Sequence, residues 1–312
     1  MGDVPADPAT LGKCDAHEHL IIDHPFIADR FADFLLDNVD AACVDLEAFK
    51  RSGGGWVVDT MPGGCGRSVP KLREITAKTG VHVVAPTGLH LPIYYAEDNP
   101  ILQENREALA ERFRREITVG VEECPDDTKA GVIKVAGGRD RLTDHQAEAF
   151  TAAGQVAAET GCPVITHTEA GTAGLEQVDR LVGAGALPEQ IVLSHTDAKP
   201  ESAYHRELLQ AGVTLEYDQH FRSLAKTGTC PTLDLIVALI GDFPNQITVG
   251  MDLARRSYWH GRGGTPGLAW LVTGLSERLR VAGVTDTDLD RIFSRNPARA
   301  FAFAQSAVPA SE

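Results

Sequence analysis

Short apolar or alternating segments recur along the chain at fairly regular intervals, and most end in a polar, glycine-rich or histidine-rich corner. Eight of these segments are predicted to be β-strands: residues 11–22, 56–61, 81–87, 131–136, 163–167, 191–195, 213–217 and 247–252. Segments with helical periodicity lie between them, such as residues 70–79, 102–119 and 143–159. The pattern therefore predicts strands that alternate with helices along the whole chain.

The predicted strands are expected to close into an α/β fold, a (β/α)8 TIM barrel that forms a single domain over residues 1–312. Continuous apolar strands such as GVIKVA and CPVITH suit a parallel sheet that is covered on both faces. Eight βα units in a chain of 312 residues match such a barrel. A doubly wound open sheet is the alternative, but no G-x-G-x-x-G motif follows the first strand.

The net charge narrows the choice of partners. The chain has 29 Lys and Arg residues against 44 Asp and Glu residues, which gives a formal charge of −15. Such a field repels polyanions and anionic lipid, so neither nucleic acid nor a membrane is expected as a partner. Because salt confines the field to about 8 Å from the surface, a local arginine cluster can still hold a small anion. A small-molecule substrate is therefore expected.

The cysteines and the N-terminal segment together predict a cytoplasmic protein. Six cysteines are scattered without a C-x-x-C pair, as is typical of reduced, buried thiols rather than of a disulfide framework. The N-terminal residues show no basic region followed by an apolar stretch. No segment approaches the run of about 18 apolar residues that a membrane-spanning helix needs.

Five side chains with metal-ligand chemistry stand at the ends of predicted strands. His17 and His19 are two residues apart, so in a strand they point the same way. His167, His195 and Asp252 lie at the ends of three later strands. In a barrel the C-terminal ends of the strands converge, so these residues can become neighbours. The alternative is a set of polar strand ends whose histidines bond to nearby carbonyl groups.

Lys134 lies in the middle of the apolar strand GVIKVA. An unpaired buried ammonium would cost several kcal/mol, so one interpretation is a salt bridge to a buried carboxylate. The other is that the amine has reacted with CO2 and that the resulting carbamate bridges two divalent metal ions. An ammonium at this position would repel those cations, so the metals and a protonated Lys134 exclude each other.

With these residues in this order, the chain resembles the binuclear amidohydrolases of the phosphotriesterase family. The resemblance extends over essentially the whole chain and rests on the H-x-H pair His17 and His19, Lys134 in GVIKVA, His167 in THT, His195 in SHTD, Asp252 in GMD and the closing NPARAF segment.

The resemblance implies a set of ligands for each of two divalent ions. The two histidines of the first strand and Asp252 are expected to hold the more buried ion, and His167 and His195 the more exposed one. Carbamylated Lys134 would bridge the two ions. Zinc is the expected metal, and the imidazole and carboxylate ligands also suit manganese, cobalt or iron.

A pair of metal ions of this kind implies hydrolysis. Two such ions can share a hydroxide that attacks the substrate, and they can polarise a carbonyl or phosphoryl oxygen. Asp252 is then expected to serve both as a ligand and as the acid and base that handles the proton. Asp197, two residues after a metal-binding histidine, is expected to support that histidine.

The loop after Asp252 resembles the subgroup of the family that acts on phosphorylated sugar lactones. Arg255 and Tyr258 fall on the positions where that subgroup binds the phosphate. Lys226, together with Tyr95 or its neighbour Tyr94, is expected to complete the pocket. The alternative is that the arginine only neutralises an acidic loop.

Other functions stay open. A lactonase or esterase for apolar lactones of the acyl-homoserine type, with weak organophosphate activity, is the main rival, and a metal-bound binding protein without activity is another. Asp218 is followed by Gln219, whereas the triesterase-like branch has a histidine there, which argues against efficient triester hydrolysis. His90 and His220 are interpreted as loop histidines without a metal. The family resemblance also leads us to expect a homodimer.

Overall fold

Nine short strands form the wall of a barrel in the structure, a computed structural model that describes residues 10–125 and 128–304. The strands of the described residues are β1 (Lys13–Glu18), β2 (Gly54–Asp59), β3 (His82–Val84), β4 (Pro86–Leu89), β5 (Val132–Gly137), β6 (Val164–Thr168), β7 (Ile191–Ser194), β8 (Thr214–Tyr217) and β9 (Ile247–Val249). All paired strands are parallel, and they lie side by side in the orders β1-β2-β3 and β4-β5-β6-β7-β8-β9. The N-terminal segment 1–9, predicted to lack a leader, and the last residues of the predicted domain lie outside the described residues.

The third predicted strand, over residues 81–87, is wrong in one respect, because the structure divides it in two at Ala85. β3 pairs with β2, whereas β4 pairs with β5. Pro86 begins β4 and has no N–H to donate to a ladder, so the pairing changes at this point. The carbonyl oxygen of Ala85 accepts a hydrogen bond from the N–H of Gly131 at 2.9 Å, so the ladder between β4 and β5 begins at this residue.

The first and last strands meet just beyond the end of β9. The backbone N–H of Asp252 donates to the carbonyl oxygen of His17 at 2.8 Å, and the N–H of Gly250 donates to Tyr217 at 3.1 Å. The predicted TIM barrel is therefore confirmed, and its closure lies at the rim that carries the candidate ligands.

Helices connect the strands on the outside of the barrel. The helix over Val69–Thr79 ends at Gly80, which has a φ of 67°, a conformation that glycine adopts at little cost. The helix over Asp144–Thr160 begins at a capping box of Thr143 and Gln146. The α-helices of the described residues are α1 (Pro25–Arg30), α2 (Val39–Arg51), α3 (Val69–Thr79), α4 (Arg106–Thr118), α5 (Asp144–Thr160), α6 (Gly174–Gly183), α7 (Ser202–Gln210), α8 (His220–Thr227), α9 (Pro231–Leu239), α10 (Ser276–Val281), α11 (Asp286–Asp290) and α12 (Asn296–Ala300).

A bulge in β1 aims its histidines into the barrel. Asp15 pairs with Val57 but Glu18 pairs with Asp59, so β1 contains one more residue than β2 over this stretch. A bulge of this kind changes which side chains share a face. As a result, His17 points towards the barrel axis although Ala16, directly before it, and Cys14 also pack inside. Those neighbours belong to a buried cluster beneath the site that includes Cys14, Ala16, Val132, Ile165, Val192 and, from α12 and the residue after it, Ala298, Ala300 and Phe301.

The closing NPARAF segment seals the bottom of the barrel. The side-chain amide of Asn296 donates to the carbonyl oxygens of Pro244 and Ile247 at 3.1 and 2.7 Å. All six cysteines are free thiols in the structure. Among the helices of the described residues, none combines the length and the apolar character that a bilayer crossing requires.

Candidate metal centre and active site

Histidines from three strand ends meet at the upper rim of the barrel. The ring centroids of His17 and His195 are 4.6 Å apart, and those of His167 and His195 are 4.5 Å apart. His19 follows at 5.6 Å from His17. The structure therefore brings together the four histidines that the strand-end pattern predicts, although up to 178 positions separate them in the sequence.

Asp252 lies beside the two histidines of β1. One of its carboxylate oxygens is 3.4 Å from Nε2 of His19 and 3.9 Å from Nε2 of His17. The three residues each offer one ligand atom within 4.8 Å of the others, a spacing that suits a single cation. The other oxygen, Oδ2, accepts a hydrogen bond from Arg222 at 2.8 Å. Burial raises the pKa of Asp252, and Arg222 opposes that effect.

Lys134 lies near the histidines and Asp252 and forms no salt bridge with any described residue. It is 0% exposed on β5, and its Nζ has no hydrogen-bond partner among the described residues. Val132, two positions earlier on the strand, packs in the inner cluster, so Lys134 also points into the barrel. Burial lowers its pKa to about 8, against the attraction of Asp252 and Glu216. A salt-bridged lysine, the first of the two interpretations, is therefore wrong.

His17 is held so that one ring nitrogen stays free. Its Nδ1 lies 2.9 Å from Oγ of Ser194 and 3.5 Å from a carboxylate oxygen of Glu216. Its Nε2 is buried and has no hydrogen-bond partner within the described part of the chain. Burial and the nearby Lys134 lower the pKa of His17 well below its ordinary value, so the ring is neutral. A neutral ring with one occupied nitrogen is the usual state of a metal-binding histidine.

His195 and His167 are each held by a carboxylate in a similar way. Nδ1 of His195 lies 2.5 Å from Oδ2 of Asp218, which leaves Nε2 of that ring for a ligand role. Nε2 of His167 lies 2.9 Å from Glu169, which leaves Nδ1. Burial acts to raise the pKa of Asp218, but the adjacent His195 keeps it below its ordinary value.

These donors fit divalent metal ions. Among the described residues, Nε2 of His17 and Nζ of Lys134 are buried and have no hydrogen-bond partner, so both atoms point to a ligand from outside this part of the chain. Imidazole and carboxylate groups are common ligands of zinc and of other first-row divalent ions. Because burial lowers the pKa of Lys134 to about 8, a larger fraction of this amine is neutral than of an ordinary lysine, and only the neutral amine forms a carbamate.

The predicted substrate-binding residues lie in two adjoining places. Arg255 lines the cavity above the candidate ligands, with its guanidinium 4.4 Å from the centre of the Phe34 ring and 3.6 Å from Asp33. Tyr258 and Lys226 instead line a neighbouring cleft of about 520 Å³. Arg222 borders both the cavity and this cleft. The three residues therefore do not share one pocket.

The prediction for Tyr95 needs correction. Tyr95 is only 2% exposed, and its hydroxyl accepts a hydrogen bond from the backbone N–H of His90 at 2.9 Å. Tyr94 is the tyrosine that lines the cavity, with its ring 4.7 Å from that of His90. A short helix over Pro92–Tyr94 ends between the two tyrosines, so their side chains point in different directions. The sequence pattern did not reveal this turn.

His220, His90 and Asp197 differ in how well their predicted roles agree with the structure. His220 donates from Nε2 to the carbonyl oxygen of Gly250 at 2.8 Å, so its reading as a satisfied histidine is confirmed. His90 lines the cavity rather than standing apart from it. Asp197 accepts from the N–H of Gln219 at 2.9 Å and from Thr232 at 2.6 Å, so it supports the loop after β8 and not His195 directly.

Sequence reasoning did not identify three further residues of the site. Arg222 is positioned by α8, four residues after Asp218, and nothing in its sequence context marks it. Glu216 is fully buried on β8, where a carboxylate in an apolar strand is an available signal. Glu169 follows His167 by two residues, so the HTE sequence places a carboxylate close to a candidate ligand and is a second available signal.

Known proteins resemble the chain over almost its full length. The profile of the phosphotriesterase family matches residues 2–301. A phospho-furanose lactonase of Mycoplasmopsis synoviae is 29% identical over 97% of this chain and 90% of that protein. The phosphotriesterase homology protein of Escherichia coli is 27% identical over 92% of this chain and 96% of that protein.

Solved structures agree with this assignment. An amidohydrolase from Mycoplasma synoviae superposes with a TM-score of 0.90 at 29% identity, covering 98% of this chain and 91% of that one. A lactonase from Listeria monocytogenes gives a TM-score of 0.88 at 26% identity, and the match covers 96% of this chain and 97% of that one. The Escherichia coli phosphotriesterase homology protein, solved with phosphate in its active site, gives 0.84 at 26% identity, covering 95% and 100%. The chain therefore belongs to the phosphotriesterase family and is a hydrolase.

Proposed function

We propose that the protein is a binuclear metal-dependent lactonase and that its substrate is a phosphorylated sugar lactone. The observation that carries the proposal is Lys134, a fully buried amine without a hydrogen-bond partner in the described chain. It lies close enough to three of the four histidines and to Asp252 to interact with their charges. A buried amine of this kind is costly unless it is modified or bound. A carbamate on Nζ would remove that cost, because Lys134 would then serve as a metal ligand.

The ligands divide between two ions as the family resemblance implies. His17, His19 and Asp252 would hold one ion, and His167 and His195 the other, with the Lys134 carbamate between them. When bound, the ions would lower the pKa of a shared water molecule and polarise the lactone carbonyl.

The chain's own residues would handle the proton and the geometry. Asp252 would accept a proton on its carboxylate from the attacking water and return it to the alkoxide oxygen that leaves the ring. Arg222 fixes Oδ2 of the same carboxylate, so Oδ1 stays turned towards the histidines. Asp218 fixes the ring of His195. Both contacts keep the reacting groups in place before the substrate binds.

The phosphorylated substrate is supported by the cations around the cavity. Arg255 lines the cavity itself, and a guanidinium can bind a phosphate through two parallel hydrogen bonds. Tyr258 and Lys226 line the adjoining cleft, which Arg222 connects with the cavity. Two phospho-furanose lactonases among the relatives, 29% and 28% identical to this chain, fit this assignment.

An apolar lactone is the second candidate, because one wall of the cavity is apolar. Ile22, Ile27, Phe34, Met61 and Tyr94 line the cavity opposite the charged groups. An acyl chain could pack against these side chains. Arg255 at the mouth disfavours this substrate because burial against an acyl chain would leave the guanidinium unpaired.

A proton-release assay with the metal-loaded enzyme tests the function. Three substrate sets are compared: phosphorylated aldonolactones, the same lactones without phosphate, and acyl-homoserine lactones. We expect the highest kcat/KM for a phosphorylated lactone. A preference for the acyl-homoserine lactones would favour the second candidate, and binding of metal without turnover of any substrate would contradict both.

We also propose a homodimer in a reducing compartment, on the basis of the family resemblance and of six free cysteines. Sedimentation equilibrium of the metal-loaded enzyme is the test of the dimer. A single species with the mass of one chain would contradict it.

A further inference from the structure

Two buried carboxylates of β1 hold the backbone on both sides of Asp252. The N–H of residue 251 donates to Oδ1 of Asp15 at 3.1 Å, and the N–H of residue 253 donates to Oε1 of Glu18 at 2.7 Å. Between them, the N–H of Asp252 itself donates to the carbonyl oxygen of His17 at 2.8 Å. Three consecutive N–H groups of this loop are therefore bound by one strand.

The same two carboxylate oxygens also fix the histidine pair. Oδ1 of Asp15 accepts from the N–H of His17 at 3.2 Å, and Oε1 of Glu18 accepts from the N–H of His19 at 2.7 Å. Both carboxylates are 0% exposed, so water does not compete for these bonds. Each carboxylate thus links the backbone next to one histidine with the backbone next to Asp252.

Asp252 needs this support because its backbone is strained. Its φ is 48°, in the left-handed region that residues other than glycine seldom adopt. Such a conformation persists only where the surroundings fix it. In this conformation the side chain lies against the β1 histidines, with Oδ1 3.4 Å from Nε2 of His19.

We propose that Asp15 and Glu18 are positioning residues that hold Asp252 in this left-handed conformation and so align it with the two histidines of β1. The inference rests on the proposed function, in which these three residues bind one metal ion. Neither carboxylate touches the ion in this account, since each acts through a hydrogen bond to the backbone. The role therefore depends on a hydrogen-bond acceptor and not on negative charge.

Asp45 provides a matched control for a purely structural role. It is a 0% exposed aspartate on α2 that accepts hydrogen bonds from the backbone N–H groups of Gly261 and Leu268 at 2.8 and 3.1 Å. Its chemistry is the same as that of Asp15 and Glu18, but it holds a different part of the loop. Asp45→Ala therefore removes comparable bonds at residues that lie outside the segment around Asp252.

The test is the metal affinity of the full-length protein, measured with Zn²⁺ by chelator competition together with the number of ions bound per chain. We expect Glu18→Ala to weaken the binding of one of the two ions by about 10- to 100-fold. This is the range of affinity lost when a group that holds a metal ligand in place is removed. Asp15→Ala should act in the same direction. Glu18→Gln and Asp15→Asn keep the acceptor oxygen, so they should stay within about threefold of wild type.

The outcomes separate the inference from the proposed function. Wild-type metal affinity in Glu18→Ala, or an equal loss of affinity in Asp45→Ala, would overturn the positioning role alone. A loss of metal affinity in Glu18→Gln as large as in Glu18→Ala would also overturn the positioning role. The negative charge, and not the hydrogen-bond acceptor, would then be what matters. Failure of the wild type to bind two ions would overturn the proposed function and the inference with it. If Glu18→Ala does not fold, Glu18→Leu removes the acceptor while keeping the volume, and the same comparisons apply.

Discussion

Arg222 donates a hydrogen bond from its guanidinium to Oδ2 of Asp252 at 2.8 Å, so the aspartate of the candidate metal centre already has a cationic partner. The same side chain donates to the backbone oxygen of Asp218 at 2.9 Å. Arg222 thereby joins the loop after β8 to the loop after β9. One residue on α8 thus fixes both the acid and base of the proposed reaction and the support of His195.

Replacing Arg222 should therefore reduce activity more than stability. We expect Arg222→Met to lower kcat/KM by roughly 100-fold, comparable to the loss of one preorganised donor in an active site. Arg222→Lys keeps the charge but not the two-point contact, so its kcat/KM should lie between those of Arg222→Met and wild type. Steady-state kinetics with metal content measured on the same samples is the check. Equal kcat/KM in Arg222→Met and wild type would show that the contact has no catalytic role.

Removing the amine of Lys134 should abolish binding of the metal pair. Lys134→Met leaves no group that can form a carbamate, so we expect fewer than two ions per chain and loss of turnover. The apo protein should be at least as stable as wild type, because an unpaired buried amine has been replaced by an apolar side chain. Thermal unfolding of both apo proteins is the control. A carbamate signal in the 13C spectrum after exposure to labelled CO2 should appear in wild type and not in the variant.

Reconstitution of the apo enzyme should depend on pH through Lys134. Its pKa lies below the ordinary value, at about 8, because the amine is buried. Only the neutral amine reacts with CO2, so the rate of activation by CO2 and metal should rise with pH up to about 8 and then level off. The rate should fall about tenfold for each pH unit below that value. A rate independent of pH between about 6 and 8 would contradict this assignment.

Arg255 should discriminate between phosphorylated and plain lactones. We expect Arg255→Ala to cost about 1.5–3 kcal/mol of binding to a phosphorylated lactone, the contribution of a hydrogen bond to a charged group. This corresponds to about a 10- to 150-fold loss in kcat/KM, and the unphosphorylated parent should change little. Arg256→Ala, on the neighbouring exposed arginine, is the matched control. Equal losses on both lactones would rule out a phosphate contact at Arg255.

Much of the fold follows from local patterns in the sequence. Continuous apolar strands that end in His167, His195 or Asp252 report both a parallel barrel and the rim at which its ligands gather. The split at Pro86 was also readable in principle, because proline cannot donate to a ladder. The bulge in β1 was not, since an extra residue between Asp15 and Glu18 becomes visible only against the partner strand.

The support of the site depended on contacts that no local pattern encodes. Asp197 and Asp218 each follow the end of a strand, β7 and β8 respectively. Only the path of the loop after β8 decides which of the two contacts His195. Tyr94 and Tyr95 are adjacent, and one turn of helix sends one into the cavity and the other into the core. Such choices depend on tertiary packing rather than on residue type.

The central claim is that six side chains gather around two divalent ions. A crystal structure of the zinc-loaded enzyme, with anomalous data at the zinc edge, tests it most directly. We expect two zinc peaks about 3.5–4 Å apart, bridged by a carbamate on Lys134 and flanked by the four histidines and Asp252. An unmodified Lys134 with no zinc peak beside it, in crystals grown with zinc and bicarbonate, would contradict the account.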